Sequence, residues 1–216
     1  MSIKCLINAG ATREYIDTVR FISNPSSGKF GCNLALAALA LGWQVDLVLA
    51  SSTFDRKLLK DINIIDVKDA QDMYEACKER FTDADIFIAS AAVCDMKPKQ
   101  KFDHKIKKPN IDYSIEFEPT IDVLKTISKD KANQILVGFA AESDNLRNYA
   151  LKKLKEKNLN CIVANDISNS KAFEKDDNEV SIIFDEEKSI NLDFAPKSEL
   201  AKQIVDILNK EFFQKA

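Results

Sequence analysis

The sequence predicts an α/β protein: a three-layer sandwich, Rossmann-like at its start, with a mostly parallel sheet and a small protruding element. Two observations predict it. Short apolar runs alternate with stretches of helical period, the pattern of a wound parallel sheet. Two polar stretches, 94–118 and 168–178, fit neither period and fall between such runs, where parallel sheets carry long loops and their sites.

The predicted strands are Lys4–Ala9, Val45–Ala50, Ile62–Val67, Ile86–Ser90, Ile135–Ala140 and Asn160–Ala164. Val180–Phe184 and Ser189–Leu192 read as a hairpin turned at Glu186-Glu187. Helices follow from apolar stripes. Phe30, Leu34, Ala38 and Leu41 form one. Ala70, Met73, Tyr74, Cys77 and Phe81 form another, with Asp69 placed to cap its start. Leu146, Tyr149, Ala150 and Leu154 line a third, and Leu200, Ile204, Ile207 and Leu208 the last. The whole of 1–216 is expected to be one domain.

A chain of 216 residues, 45% hydrophobic and 30% charged, suits a soluble globular protein with a sizeable core. A net charge of −3 offers no bulk field for nucleic acid, so any anion site must be local. No apolar run is long enough for a membrane span, and residues 1–7 read as a strand rather than a signal peptide. Five cysteines without a CxxC pair and a single histidine, His104, argue against zinc and for reduced thiols.

Several segments carry the residue types of a phosphate site. Gly10 ends the first strand and lets the backbone turn close to a ligand. No helix follows directly, so this is not the dinucleotide GxGxxG. About a dozen residues intervene before Ser23-Asn24-Pro25-Ser26-Ser27-Gly28-Lys29-Phe30-Gly31. There Ser26 or Ser27 can cap a helix whose free N–H groups form an anion cradle, with Gly28 and Gly31 allowing close approach. An ordinary serine-capped helix is an equal reading. Small residues, Ala91 and Ala92, leave room for a flat ligand beyond the fourth strand, and Asp95 adds a carboxylate. Gly138, Phe139 and Ala140 do the same beyond the fifth, or simply admit helix packing. Lys105, Lys107 and Lys108 crowd positive charge, as an anion site or a solvated run would. Lys153 and Lys157 share a helix face and could clamp a triphosphate; a wet basic helix is the bland alternative.

In this order, the segments 10–14, 19–29, 91–95, 105–108, 137–142 and 164–168 resemble the phosphopantothenoylcysteine synthetase family of coenzyme A biosynthesis, over nearly the whole chain. The resemblance implies a three-layer Rossmann-like or ribokinase-like sandwich with a protruding dimerisation or flap element. It implies a ligase that joins 4′-phosphopantothenate to L-cysteine through an acyl-nucleotide, with CTP as co-substrate and Mg²⁺, releasing pyrophosphate and CMP. Asn24, Arg20 and Lys105 match the family's catalytic positions. Gly10, Ser27, Gly28, Ala91, Ala92, Asp95, Lys105, Phe139, Lys153 and Lys157 match nucleotide-binding ones. Asp95 and Asp122 are the carboxylates that could touch a metal otherwise held by the triphosphate.

A cytoplasmic homodimer is implied, with no FMN in this chain and no membrane or nucleic-acid partner. Relatives are often fused to a phosphopantothenoylcysteine decarboxylase, so the chain is expected to be either a separate synthetase or a piece of a fusion. Cys94 stands where the family commonly has alanine, and Ile121 replaces a usual proline. A nicotinamide-dependent oxidoreductase would need GxGxxG after the first strand and an acid ending the second, where Leu49-Ala50-Ser51-Ser52 stands instead. A non-catalytic nucleotide-binding module is the other rival, weighed against by Asn24 and Lys105.

Overall fold

The first apolar run becomes the central strand. β1 (Lys4–Ala9) is buried after its first residue and lies between two parallel neighbours, β4 (Gln44–Leu49) and β6 (Ile86–Ala89). A strand flanked and covered on both faces has no polar side, which is why its sequence is nearly continuous in apolar residues. In the computed structural model, residues 2–108, 114–142, 145–166 and 177–214 are described, with the backbone alone for 141, 142, 166 and 177–179.

The remaining parallel strands are β5 (Asn63–Asp66), β9 (Ile135–Glu142) and β10 (Cys161–Asp166). The parallel part runs β5-β4-β1-β6-β9-β10, the Rossmann order 3-2-1-4-5-6. The antiparallel strands β11 (Asp177–Ile183) and β12 (Ser189–Pro196) extend it to eight. The reading of strand, helix and hairpin order holds, with ends displaced by a residue or more: the fifth strand runs to Glu142 rather than Ala140.

Two helical layers complete the sandwich. α1 (Lys29–Ala40) packs on α5 (Lys197–Phe212) over one face, where Cys5, Ile7 and Ala9 point. α2 (Ala70–Phe81), α3 (Val123–Ile127) and α4 (Leu146–Glu156) cover the other, which takes Leu6, Val48 and Phe87. The alternation of β1 side chains between the two cores is the period-2 geometry of a strand. Asp69 does cap α2, accepting from the Asp72 N–H at 2.9 Å.

Between β1 and α1 the chain forms a short hairpin, β2 (Arg13–Tyr15) with β3 (Phe21–Ser23). A second ribbon, β7 (Met96–Pro98) with β8 (Phe117–Pro119), packs beside β2. The two ribbons pack on each other, so residues of the stretch 94–118 lie against those of 13–23. Of the polar stretch 168–178, residues 168–176 lie outside the described residues.

Candidate active site

The crossover from β1 passes over the α1 face, whereas α3 follows β6 on the other, so adjacent strands diverge at their carboxyl ends. Such a switch point opens a crevice, the usual ligand position in an open α/β sheet. A cleft of about 620 Å³ lies there, within the usual size range of small-molecule sites. Its floor is made by strand ends: Asn8, Ala89 to Val93, Ala140 and Asn165. The loop 24–31 and Phe139 form one wall; Ile121 to Leu124, Lys153 and Lys157 form the other.

Local chemistry explains the wall at 24–31. Gly28, not a serine, is the N-cap of α1, and no side chain caps the helix. Ser26 and Ser27 instead lean on the Gly28 and Lys29 N–H groups at 3.3 and 3.4 Å, which corrects the expected serine cap. Gly28 sits at φ 69°, and a Cβ there would come within 2.6 Å of Ser52 Oγ. Gly31 is tight for another reason: its Cβ would meet that of Ala9 at 2.4 Å, so its smallness serves helix-to-strand packing. Gly138 likewise faces Leu159 in the core, not the cleft. Phe139 points the opposite way, packs edge-on against Phe30 with ring centroids 5.4 Å apart, and lines the cleft.

Asn24, Ser27, Gly28, Ala91, Ala92, Asp95, Asp122, Phe139, Lys153 and Lys157 all line this one cleft. Asn24 donates one amide hydrogen to the Val93 carbonyl at 2.9 Å, which holds the amide at the rim while its second hydrogen can serve a ligand. The Ala91 and Ala92 N–H groups are engaged inside the protein, by Asn8 Oδ1 at 3.0 Å and the Gly10 carbonyl at 2.9 Å. Asp122 caps α3 through the Lys125 N–H at 3.0 Å and pairs with Lys157 Nζ at 2.8 Å. It is thus committed to a helix end and a cation. No group of three or more metal-ligating side chains occurs among the described residues.

Gly10, Arg20 and Lys105 do not line the cleft. Gly10 lies behind it, at φ 83° with its Cα beneath Gly28. Arg20, at the β2–β3 turn, holds the backbone of Ile106, next to the exposed Lys105. Cleft residues that sequence reasoning missed are Asn8, Lys29, Asn165 and Lys197. Asn8, the one buried polar residue of an otherwise apolar strand, is the one with a visible signal. Asn165 Oδ1 is a buried acceptor without a partner among the described residues. Lys29 and Lys197 are the first residues of α1 and α5, so two helix starts bring lysines to one crevice. Burial pushes the Cys32 thiol up to about 11 and Cys77 to about 12, which leaves neither as a thiolate nucleophile.

The family model of the DNA/pantothenate metabolism flavoprotein C-terminal domain matches residues 1–212. The chain belongs to that family. The Bacillus subtilis coenzyme A biosynthesis bifunctional protein CoaBC is 43% identical over 202 residues, 93% of this chain and 49% of that protein. The flavoprotein C-terminal domain seen here therefore spans about half the length of the curated relatives it matches. The crystal structure of the C-terminal domain of a coenzyme A biosynthesis bifunctional protein CoaBC superposes with a TM-score of 0.83 at 37% identity, over 99% of this chain and 97% of that one. A Cab2 mutant in complex with phosphopantothenate-cysteine shares the fold, with a TM-score of 0.76 at 18% identity over 97% of this chain and 87% of that one. The family resemblance read from the sequence is borne out.

Proposed function

We propose that this chain is a phosphopantothenate–cysteine ligase of coenzyme A biosynthesis, using CTP and proceeding through phosphopantothenoyl-CMP. The observation that supports the reading is the cleft itself, in a domain of this family: the amide of Asn24 and the lysines Lys153 and Lys157 line one crevice at the switch point of the sheet. The substrate carboxylate attacks the α-phosphorus of CTP, and pyrophosphate leaves. The amine of cysteine then attacks the acyl carbon, loses a proton, and CMP leaves. No protein nucleophile is needed, so the work of the chain is positioning and charge stabilisation.

Lys153 and Lys157 stand against the polyphosphate, and Asn24 donates to the oxygen that gains charge at the acyl carbon. Lys29 and Lys197, with their helix starts, suit a second anionic group on the opposite side of the cleft. Among the described residues the carboxylates of the cleft build no cage of their own for Mg²⁺, and in this proposal the metal is carried mainly by the triphosphate.

The working form in this proposal is a cytoplasmic homodimer, with no FMN in its reaction and a decarboxylase either fused or separate. Val19, Phe21, Met96, Ile115 and Phe117 leave apolar surface exposed on or beside the two ribbons, as a dimer contact requires. Dimerisation would let Arg20 and Lys105 of one subunit reach the cleft of the other. No described helix is long and apolar enough to cross a membrane.

The test is pyrophosphate release by the purified chain with 4′-phosphopantothenate, Mg²⁺ and CTP or ATP, with and without L-cysteine. Release that requires phosphopantothenate, is faster with CTP and turns over repeatedly only with cysteine is expected. No release with either nucleotide would overturn the reading.

A further inference from the structure

Asp17 is the most completely enclosed carboxylate among the described residues, with no accessible surface, and it does not line the cleft. Its two oxygens serve different neighbours. Oδ1 accepts the Val19 and Arg20 N–H groups at 2.8 and 2.7 Å, closing the turn between β2 and β3. Oδ2 accepts the Ile106 N–H at 3.2 Å and is paired with the Arg20 guanidinium. The same guanidinium lies 3.4 Å from the Ile106 carbonyl oxygen. Both backbone groups of the residue after Lys105 are therefore held by one ion pair, in which Asp17 is enclosed and Arg20 partly exposed. A further backbone bond, Phe102 N–H to the Ile16 carbonyl at 2.9 Å, ties the same segment to the same turn. Burial alone would push the Asp17 carboxyl up, but the N–H groups of Arg20, Val19 and Ile106 and the guanidinium outweigh it and hold it at about 2.

We propose that Asp17 is the positioning residue of Lys105. Through Oδ2 and Arg20 it fixes the backbone of the lysine segment to the β2–β3 turn, so that the hairpin and the lysine move as one body. The role rests on the assignment of Lys105 to the reaction made under Proposed function. A charged, buried anchor suits this task because a lysine on an exposed strap loses its value to catalysis when its geometry wanders. It also means that Arg20 has a structural duty on its own segment, whatever it contacts beyond it.

The two-oxygen division allows a selective test. Asp17→Asn keeps an acceptor for Val19 and Arg20 but presents an NH₂ to the Ile106 N–H and the guanidinium. Ile106→Pro deletes the donated N–H from the other end and leaves Asp17 intact. In the pyrophosphate-release assay each variant is expected to lower kcat roughly tenfold with little change in KM. Amide exchange at Ile106 in Asp17→Asn is expected to speed up about tenfold or more while Val19 and Arg20 stay protected. In a Lys105→Ala background the Asp17→Asn loss should disappear.

Unchanged exchange at Ile106, or an Asp17→Asn loss that adds in full to Lys105→Ala, overturns the positioning role alone. Full activity of Lys105→Ala overturns the role given to Lys105, and this one with it.

Discussion

Residues 10–14 and 24–31 both follow β1, and both stand out in the sequence as polar, glycine-bearing motifs. Folded, they do opposite work. In the first, the polar groups of Gly10, Thr12 and Glu14 are turned inward. The Gly10 carbonyl receives the Ala92 N–H, Thr12 Oγ1 accepts the Cys94 N–H at 2.8 Å, and Glu14 accepts the Ala70 N–H at the start of α2 at 2.9 Å. Arg13 lies over the Phe21 ring at 4.5 Å. The second leaves its helix start uncapped by side chains and turns Asn24 and Lys29 to the cleft. A conspicuous motif can therefore be a set of stitches between distant loops as readily as a ligand cradle, and only the partners of its polar atoms tell the two apart.

Substitutions can break that contrast. Gly10→Val should have the largest effect. At φ 83° its Cβ would stand 2.7 Å from the Ser51 carbonyl oxygen and 2.9 Å from the backbone of Ala50, atoms that cannot yield. A loss of about 3 kcal/mol or more is expected, read from the denaturation midpoint. Asn24→Asp, in the other motif, should leave that midpoint alone and slow amide formation about a hundredfold, with acyl-nucleotide detected by mass spectrometry. Unchanged turnover would remove Asn24 from the chemistry.

Thr12→Val should strand the buried Cys94 N–H and cost about 1–3 kcal/mol of stability, with the nucleotide KM unchanged. Lys157→Ala gives the reverse pattern. Its pair with Asp122 is partly exposed, so stability should move by less than about 1 kcal/mol. The nucleotide KM should rise roughly tenfold, as for a lost charged contact.

Glu14→Gln is the mildest. Burial raises the Glu14 carboxyl, so the folded state binds its proton more tightly than the unfolded chain does. Stability from this group is present in acid and is lost as pH rises from the unfolded value through the raised one. Gln still accepts from Ala70 and escapes that loss, so its melting temperature at neutral pH should equal or exceed that of the parent. A lower one would show that the charge itself supports α2.

The parallel sheet and four of the helices were legible because each long element repeats its own period: Met73, Cys77 and Phe81 face one core by spacing alone. The three-residue strands β2, β3, β7 and β8 were not, since pieces so short carry no period and pair through contacts far along the chain. The cleft was legible in most of its lining but not in its far corner. Lys197 follows Pro196 in what reads as an ordinary helix start. That start reaches the crevice only because β12 runs on to Pro196 and ends level with the top of β11. Asn8 bonds to a residue 83 positions away, a partner no local pattern can name.

All five cysteines are enclosed within the fold, none joined to another. For a protein proposed to handle free cysteine, that enclosure has a chemical meaning. Thiol–disulfide exchange needs an accessible sulfur and a thiolate, and these side chains offer no access. Cystine in the surroundings then finds nothing on this half of the family's architecture to form a mixed disulfide with, and the incoming amino acid meets the cleft as an amine rather than as a sulfur.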